Sequence, residues 1–218
     1  MSDLTDSPLL SLSPGPAQAS RPRSAAGSAR LTREDWLDAA FAAVVEAGFD
    51  QARVLLLAER LGVTRGSFYW HFKDHADLIE ALLTRWQALE QATHERLRQS
   101  DSTNPHADLL HLLEAALAHA GPNQENVRFE LALRDLGRRD AAVAAMLAEI
   151  DSQRMDLFTH KFHRLTGDAL RARELAALFY LAITGSNQAL SRPNTSEAVK
   201  AYITAVITRH VIGKAATA

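Results

Sequence analysis

From Thr32 onward, apolar residues recur at helical spacing, and no bracketed stretch alternates as a strand would. The first stripe is Leu37, Ala40, Phe41, Val44 and Val45, at i, i+3, i+4, i+7 and i+8. Thr32, with Asp35 three residues on, resembles the capping box that opens such a helix, and Gly48 stands where one ends. Residues 50–52 link it to a second helix over 54–61, which Gly62 stops. A short third helix follows, then a long fourth with Leu78, Leu82, Trp86, Leu89 and Leu97 near one face. Breaks recur at 100–105, 121–123, Gly137, 167–168 and 192–194, with helical segments between them. The pattern predicts an all-α chain of about nine helices, without internal repeats.

Residues 1–29 have no such periodicity. They are rich in Ser, Pro, Ala and Gly, too poor in apolar area to offset the entropy of ordering, and are expected to be a disordered tail. Arg21, Arg23 and Arg30 close this tail. They are either an arm that reaches a minor groove or an ordinary solvated segment.

The most informative stretch is Val63-Thr64-Arg65-Gly66-Ser67-Phe68-Tyr69-Trp70-His71-Phe72-Lys73. Aromatics interleaved with Arg, His and Lys on a short exposed helix are poor core material. They suit a surface that lies on a phosphate backbone and the base edges beside it. With the preceding helix and a three-residue turn, they have the layout of a helix-turn-helix reader.

Composition changes this picture little. The chain has 218 residues, no cysteine and a net charge of −2. Disulfides, thiolate metal sites and cysteine nucleophiles are excluded. No apolar run approaches the ~20 residues needed to span a bilayer, and the N-terminus lacks a signal-peptide core, so a soluble cytoplasmic protein is expected. Residues 21–75 carry eight Arg or Lys and seven Asp or Glu, so any DNA contact must use a local basic face. His111 with Glu114, and His160 with His163, have i, i+3 spacing but no further ligands nearby, so no metal or cofactor is expected. No serine sits in a nucleophile elbow and no glycine loop cradles phosphate, so the chain does not read as an enzyme.

The segment from about Leu31 to Leu83 resembles the DNA-binding domain of the TetR family of bacterial transcriptional regulators. The matching residues are Ala39-Ala40, Ala47-Gly48-Phe49, Leu57-Ala58, Leu61-Gly62-Val63-Thr64, Gly66 through Phe72, and Leu78, with no insertion. The resemblance implies a DNA-binding unit over 30–76 and a ligand-binding and dimerisation unit over 77–218. It also implies roles. Arg65 is the main base reader, Gly66 permits close approach, and Ser67 donates to a base or phosphate. Tyr69 contacts a phosphate through its hydroxyl, Trp70 and His71 flank the backbone, and Lys73 supplies a phosphate charge. Thr64 is both N-cap and phosphate neighbour, while Phe68 and Phe72 point inward. Plainer readings stand beside these: Trp70 packing on helix 4, Tyr69 as a core aromatic, His71 satisfying local carbonyls.

Two positions depart from the family pattern. Arg53 stands where a Thr usually caps the second helix, exchanging a cap for a cation within reach of phosphate. His75 stands where a Lys commonly touches phosphate. Leu55 occupies a position that is often polar, which implies a small exposed apolar spot.

In the C-terminal half, Val199, Tyr202, Ile203, Val206 and Ile207 form an apolar arc wide enough to need burial on two sides. The resemblance makes Val199, Tyr202, Ile203 and Val206 part of a homodimer interface and predicts a palindromic operator. It also implies a small-molecule pocket, for which Trp86, Phe129, Met155, Phe158 and Tyr180 are candidates, with Arg134 or Arg154 as anion partner. A core position is the stronger reading of each of these, and Arg134 has Asp135 and Asp151 as alternative partners. The expected function is a dimeric repressor released from DNA by a ligand. The alternatives are an activator, a regulator without ligand, or a helical scaffold that does not bind DNA.

Overall fold

The computed structural model describes residues 31–117, 123–190 and 197–213. The tail with Arg21, Arg23 and Arg30, and the breaks at 121–122 and 192–194, lie outside them. Two units separate along the chain, Met1–Leu31 and Thr32–Ala218, and the described elements all belong to the second. Among the described residues there are nine α-helices and no strand, as the periodicity predicts.

Helix α1, Arg33–Ala47, opens on a complete capping box. Thr32 Oγ1 accepts from the Asp35 amide, and the Asp35 carboxylate accepts from the Thr32 amide. Gly48 closes the helix at φ +85°, and a single 3-10 turn, Phe49–Gln51, leads to α2, Val54–Leu61. Helix α3 is only Arg65–Phe68, and α4, His75–Gln99, starts on an Asp74 cap. Then come α5 (Pro105–Leu117), α6 (Asn123–Leu136), α7 (Ala141–Thr166), α8 (Ala169–Leu190) and α9 (Glu197–Ile207). The last helix runs on as a π-turn, Thr208–Ile212, which its sequence does not foretell.

The core has two clusters. One gathers Trp36, Leu37, Phe68, Phe72, Leu78, Leu82 and Trp86 from α1–α4 with Phe129, Leu133, Val143 and Leu147 from α6 and α7. The N-terminal helices therefore do not own a separate core; Phe41 stacks on Phe129 with ring centroids 4.9 Å apart. The other cluster joins α5, α7, α8 and α9 through Leu109, Leu113, Phe158, Phe162, Phe179 and Ile207. Helix α4 runs from the first cluster towards the second, where Leu97 packs.

Candidate nucleic-acid interface

Gly62 ends α2 in the left-handed region at φ +68°, where its amide donates to Glu59 O and the Val63 amide to Ala58 O. The chain turns sharply and presents Thr64 as the extended N-cap of α3. Its hydroxyl makes no cap bond; instead the Ser67 amide and the Ser67 hydroxyl both donate to Thr64 O, each at 3.1 Å. Ser67 is thus already engaged and half-buried, in contrast to the free donor expected of it. Past Phe68 the helix tightens: the amides of Trp70 and His71 donate three residues back, to Ser67 O and Phe68 O.

The aromatic run divides by face. Phe68 and Phe72 are buried and stack at 5.3 Å, and Phe68 meets Trp36 edge-on at the same distance. The Arg33 guanidinium lies 4.7 Å above the Phe72 ring. Tyr69 is left 55% exposed and Trp70 77% exposed, so neither is a core aromatic. Arg65, Gly66 and Lys73 are also exposed, and His71 is half-buried. A Cβ built on Gly66 would meet nothing nearer than Thr64 Oγ1 at 3.7 Å, so the fold itself has room for a side chain there.

The two departures from the family pattern behave differently. Arg53 is an extended, exposed N-cap with no side-chain cap bond, so the cap is lost as expected. His75 Nε2 lies 2.9 Å from Ala52 O, which pins the start of α4 to the link before α2. That nitrogen carries the proton of this bond, so the ring is turned partly inward and a structural role joins the expected phosphate contact. Lys73 donates its amide to Asp77, leaving the ammonium outward. Leu55 is 53% exposed, the apolar spot its sequence position implied.

The expected pocket residues fall into both cores. Trp86 and Phe129 pack together, with centroids 6.3 Å apart, while Met155, Phe158 and Tyr180 belong to the second cluster. Arg134 already holds two carboxylates, Asp151 and Glu130, each at 2.7 Å. Arg154 holds Glu130 and also Glu90 of α4. This ionic cluster was legible only in part, through the i, i+4 pair Glu130–Arg134 and the i, i+3 pair Asp151–Arg154; Glu90 carries no such local signal. The Tyr180 phenol is pushed up, first by burial and then by the neighbouring Asp151.

On α9, Ile203 and Ile207 turn towards the core, and Val199, Tyr202 and Val206 are exposed. Helix α8 adds Leu170, Leu178 and Leu181, each more than half exposed. These were missed because an Ala- and Leu-rich helix reads as core on all sides.

Comparison with known proteins agrees with this architecture. Residues 37–82 match the sequence profile of "Bacterial regulatory proteins, tetR family". The transcriptional regulator TtgR of Pseudomonas putida is 35% identical over 82 residues, 38% of this chain and 37% of that protein. The transcriptional repressor BepR of Brucella suis is 33% identical over 89 residues, 41% of each chain. These matches span well under half of the relatives' length. A solved transcriptional regulator from Rhodococcus superposes with a TM-score of 0.67 over 84% of this chain and 95% of its own, at 17% identity.

Proposed function

We propose that this chain, whose residues 37–82 match the tetR-family profile, is a dimeric, sequence-specific DNA-binding repressor that leaves a palindromic operator when a small molecule binds. The observation that carries this reading is the division of the aromatic run. Burying Phe68 and Phe72 turns Arg65, Gly66, Tyr69 and Trp70 outward together at the head of a helix-turn-helix.

In this reading the exposed Arg65 forms a bidentate pair with guanine in the major groove. Tyr69, Lys73, Arg53 and Thr64 hold the phosphates beside it, with His71 and the Trp70 ring against the backbone. The Ser67 hydroxyl, donating to Thr64 O, keeps its lone pairs to accept from a base amino group, and His75 steadies the start of α4. The exposed apolar faces of α8 and α9, including Val199, Tyr202 and Val206, support a two-fold dimer. Two recognition helices so joined reach half-sites about one helical turn, ~34–36 Å, apart. BepR is a repressor, which favours repression over activation. Among the described residues no helix is long and apolar enough to cross a membrane, and a cytoplasmic site of action fits a DNA partner.

Helix α4 is the natural coupling element, because its N-terminus adjoins the recognition helix and its middle meets α6 and α7. A ligand can shift the protein between DNA-bound and released states only by its differential affinity for them, and DNA must weaken ligand binding by the same factor. The test is selection of bound fragments from genomic DNA by the full-length protein, with an Arg65→Ala, Tyr69→Ala double variant as control. Enrichment of one palindrome, lost in the control, is the expected result. No enrichment at low salt, or enrichment that the double variant retains, overturns the reading.

A further inference from the structure

The backbone changes hands at Lys73. The amides of Trp70, His71 and Phe72 all donate back into α3, the first to Ser67 O at 3.3 Å and the others to Phe68 O at 2.9 and 3.1 Å. The Lys73 amide instead donates forward, to the Asp77 carboxylate of α4 at 2.8 Å. In an ordinary capping box the acid three residues into a helix returns to the N-cap amide, as Asp35 does for Thr32 in α1. At α4 only half of that box is present. The N-cap Asp74 takes the Asp77 amide at 2.9 Å, but Asp77 reaches one residue further back, past Asp74 to Lys73. Lys73 is therefore fixed by the first turn of α4, although it follows directly on the aromatic turn that ends α3.

The other Asp77 oxygen faces Arg33, the first residue of α1, at 3.9 Å. The same guanidinium lies over the buried Phe72 ring, 4.7 Å from its centroid, so a ring and a carboxylate hold it together. Three elements thus meet around one acid: α1 through Arg33, α4 through Asp77 itself, and the end of the aromatic turn through the Lys73 amide. An acid tied to a phosphate-contacting lysine repels the duplex, and on charge alone it weakens binding. Its presence there calls for a benefit that exceeds the repulsion, and Arg33 reduces that repulsion by supplying the opposite charge.

We infer that Asp77 is a positioning residue for DNA binding: it holds the Lys73 backbone where the ammonium meets a phosphate, while Arg33, braced on Phe72, steadies it and cancels its charge. This rests on the DNA-binding reading above and adds two residues that act without touching the duplex. It also reverses the ordinary electrostatic expectation. Removing an acid beside DNA tightens binding by charge alone, whereas removing this one loosens it.

The experiment is fluorescence anisotropy of the full-length protein on its selected DNA fragment, over a series of salt concentrations, as a cycle of Asp77→Ala with Lys73→Ala. Asp77→Ala alone is expected to weaken binding about fivefold or more and to lower the salt slope by about one, as the loss of one phosphate contact does. With Lys73→Ala already present, Asp77→Ala should cost nothing further. Asp77→Asn, which keeps an acceptor for the amide and drops the charge, should restore both affinity and slope. Arg33→Met should weaken binding in the native chain but not in Asp77→Ala, because it acts through Asp77. Circular dichroism checks that each variant is folded. Hydrogen exchange reads the tie without any substitution: the Lys73 amide of the native chain should exchange about tenfold or more slowly than a free amide. Tighter or unchanged binding by Asp77→Ala, an equal loss with and without Lys73, an unaltered salt slope, or a freely exchanging Lys73 amide would overturn the inference. An Arg33→Met loss that persists in Asp77→Ala would overturn the part given to Arg33. Failure of the native chain to bind any duplex overturns the DNA-binding reading and this inference with it, whereas binding with an additive cycle overturns the inference alone.

Discussion

Gly66 is a helical residue that the fold does not require to be glycine: its backbone is not left-handed, and a Cβ there would touch only Thr64 Oγ1, at 3.7 Å. Glycine inside a helix costs about 1 kcal/mol relative to alanine, so its presence implies that something outside the protein comes close. Gly66→Ala is therefore expected to leave thermal stability unchanged or raise it by up to ~1 kcal/mol, and to weaken operator binding about tenfold or more in fluorescence anisotropy. Unchanged DNA affinity would remove the close-approach role. Arg65 and Lys73 are separable in the same assay. Arg65→Ala should erase preference between operator and scrambled DNA, whereas Lys73→Ala should weaken both and lower the salt slope by about one. At this scale the sequence spoke for groups whose chemistry is local, such as the inward phenylalanines and the lost cap at Arg53. It was silent on the Ser67 hydroxyl folding back to Thr64 O and on His75 meeting Ala52 O, because each depends on how the backbone turns around it.

The helices themselves were readable wherever a cap or breaker marks them: Thr32 with Asp35, Gly48, Gly62 and Gly167 all end or begin elements where their chemistry predicts. What periodicity does not reveal is how one helix is tied to another. Asp101, just beyond α4, bonds Lys161 of α7 at 2.7 Å and also His160, and Arg164 bonds Asp108 of α5. Lys161 is a charged residue 1% exposed in the middle of an apolar face, and its counter-charge, Asp101, is a partner 60 residues away, with the Ser100 hydroxyl beside it. Removing that partner leaves a buried charge unpaired, so Asp101→Ala is expected to cost about 3 kcal/mol or more by urea unfolding, with Asp101→Ala, Lys161→Met recovering part of the loss. Recovery absent in the double variant would mean that Asp101 acts mainly through His160 and Arg164. Acid should find the same tie. Burial raises the Asp101 carboxyl, yet the Lys161 and His160 bonds and the Lys161 and Arg164 charges outweigh it and take it from 3.8 down to about 2. A depressed carboxyl adds stability that is fully present above its unfolded value and lost as pH falls through the folded one. Stability should therefore decline between about pH 4 and pH 2, and Asp101→Asn should flatten that part of the profile.

Across the whole molecule, the division the sequence suggests at residue 76 is not one of packing, since Trp36 and Phe68 share a core cluster with Phe129, Leu133 and Leu147. The continuity gives a change near α6 and α7 a direct mechanical path to α1 and α3. The last two helices pose a different problem. Leu170, Leu178 and Leu181 on α8, with Val199, Tyr202 and Val206 on α9, are exposed apolar groups on neighbouring helices. In the proposed dimer, a second copy covers them, which removes a liability and sets the spacing of the two DNA-reading helices in one step. A charge in this face should separate the copies without unfolding them, because the altered side chains lie outside the core. Val206→Glu and Leu181→Glu are each expected to shift sedimentation from dimer to monomer at micromolar concentration while helicity is retained. The same variants should then bind a single half-site and a full palindrome with nearly equal affinity, since a monomer gains nothing from the second half-site. A dimer that survives both charges would place the contact on another face, and a monomer that still prefers the full palindrome would mean that two copies assemble on DNA through a different surface.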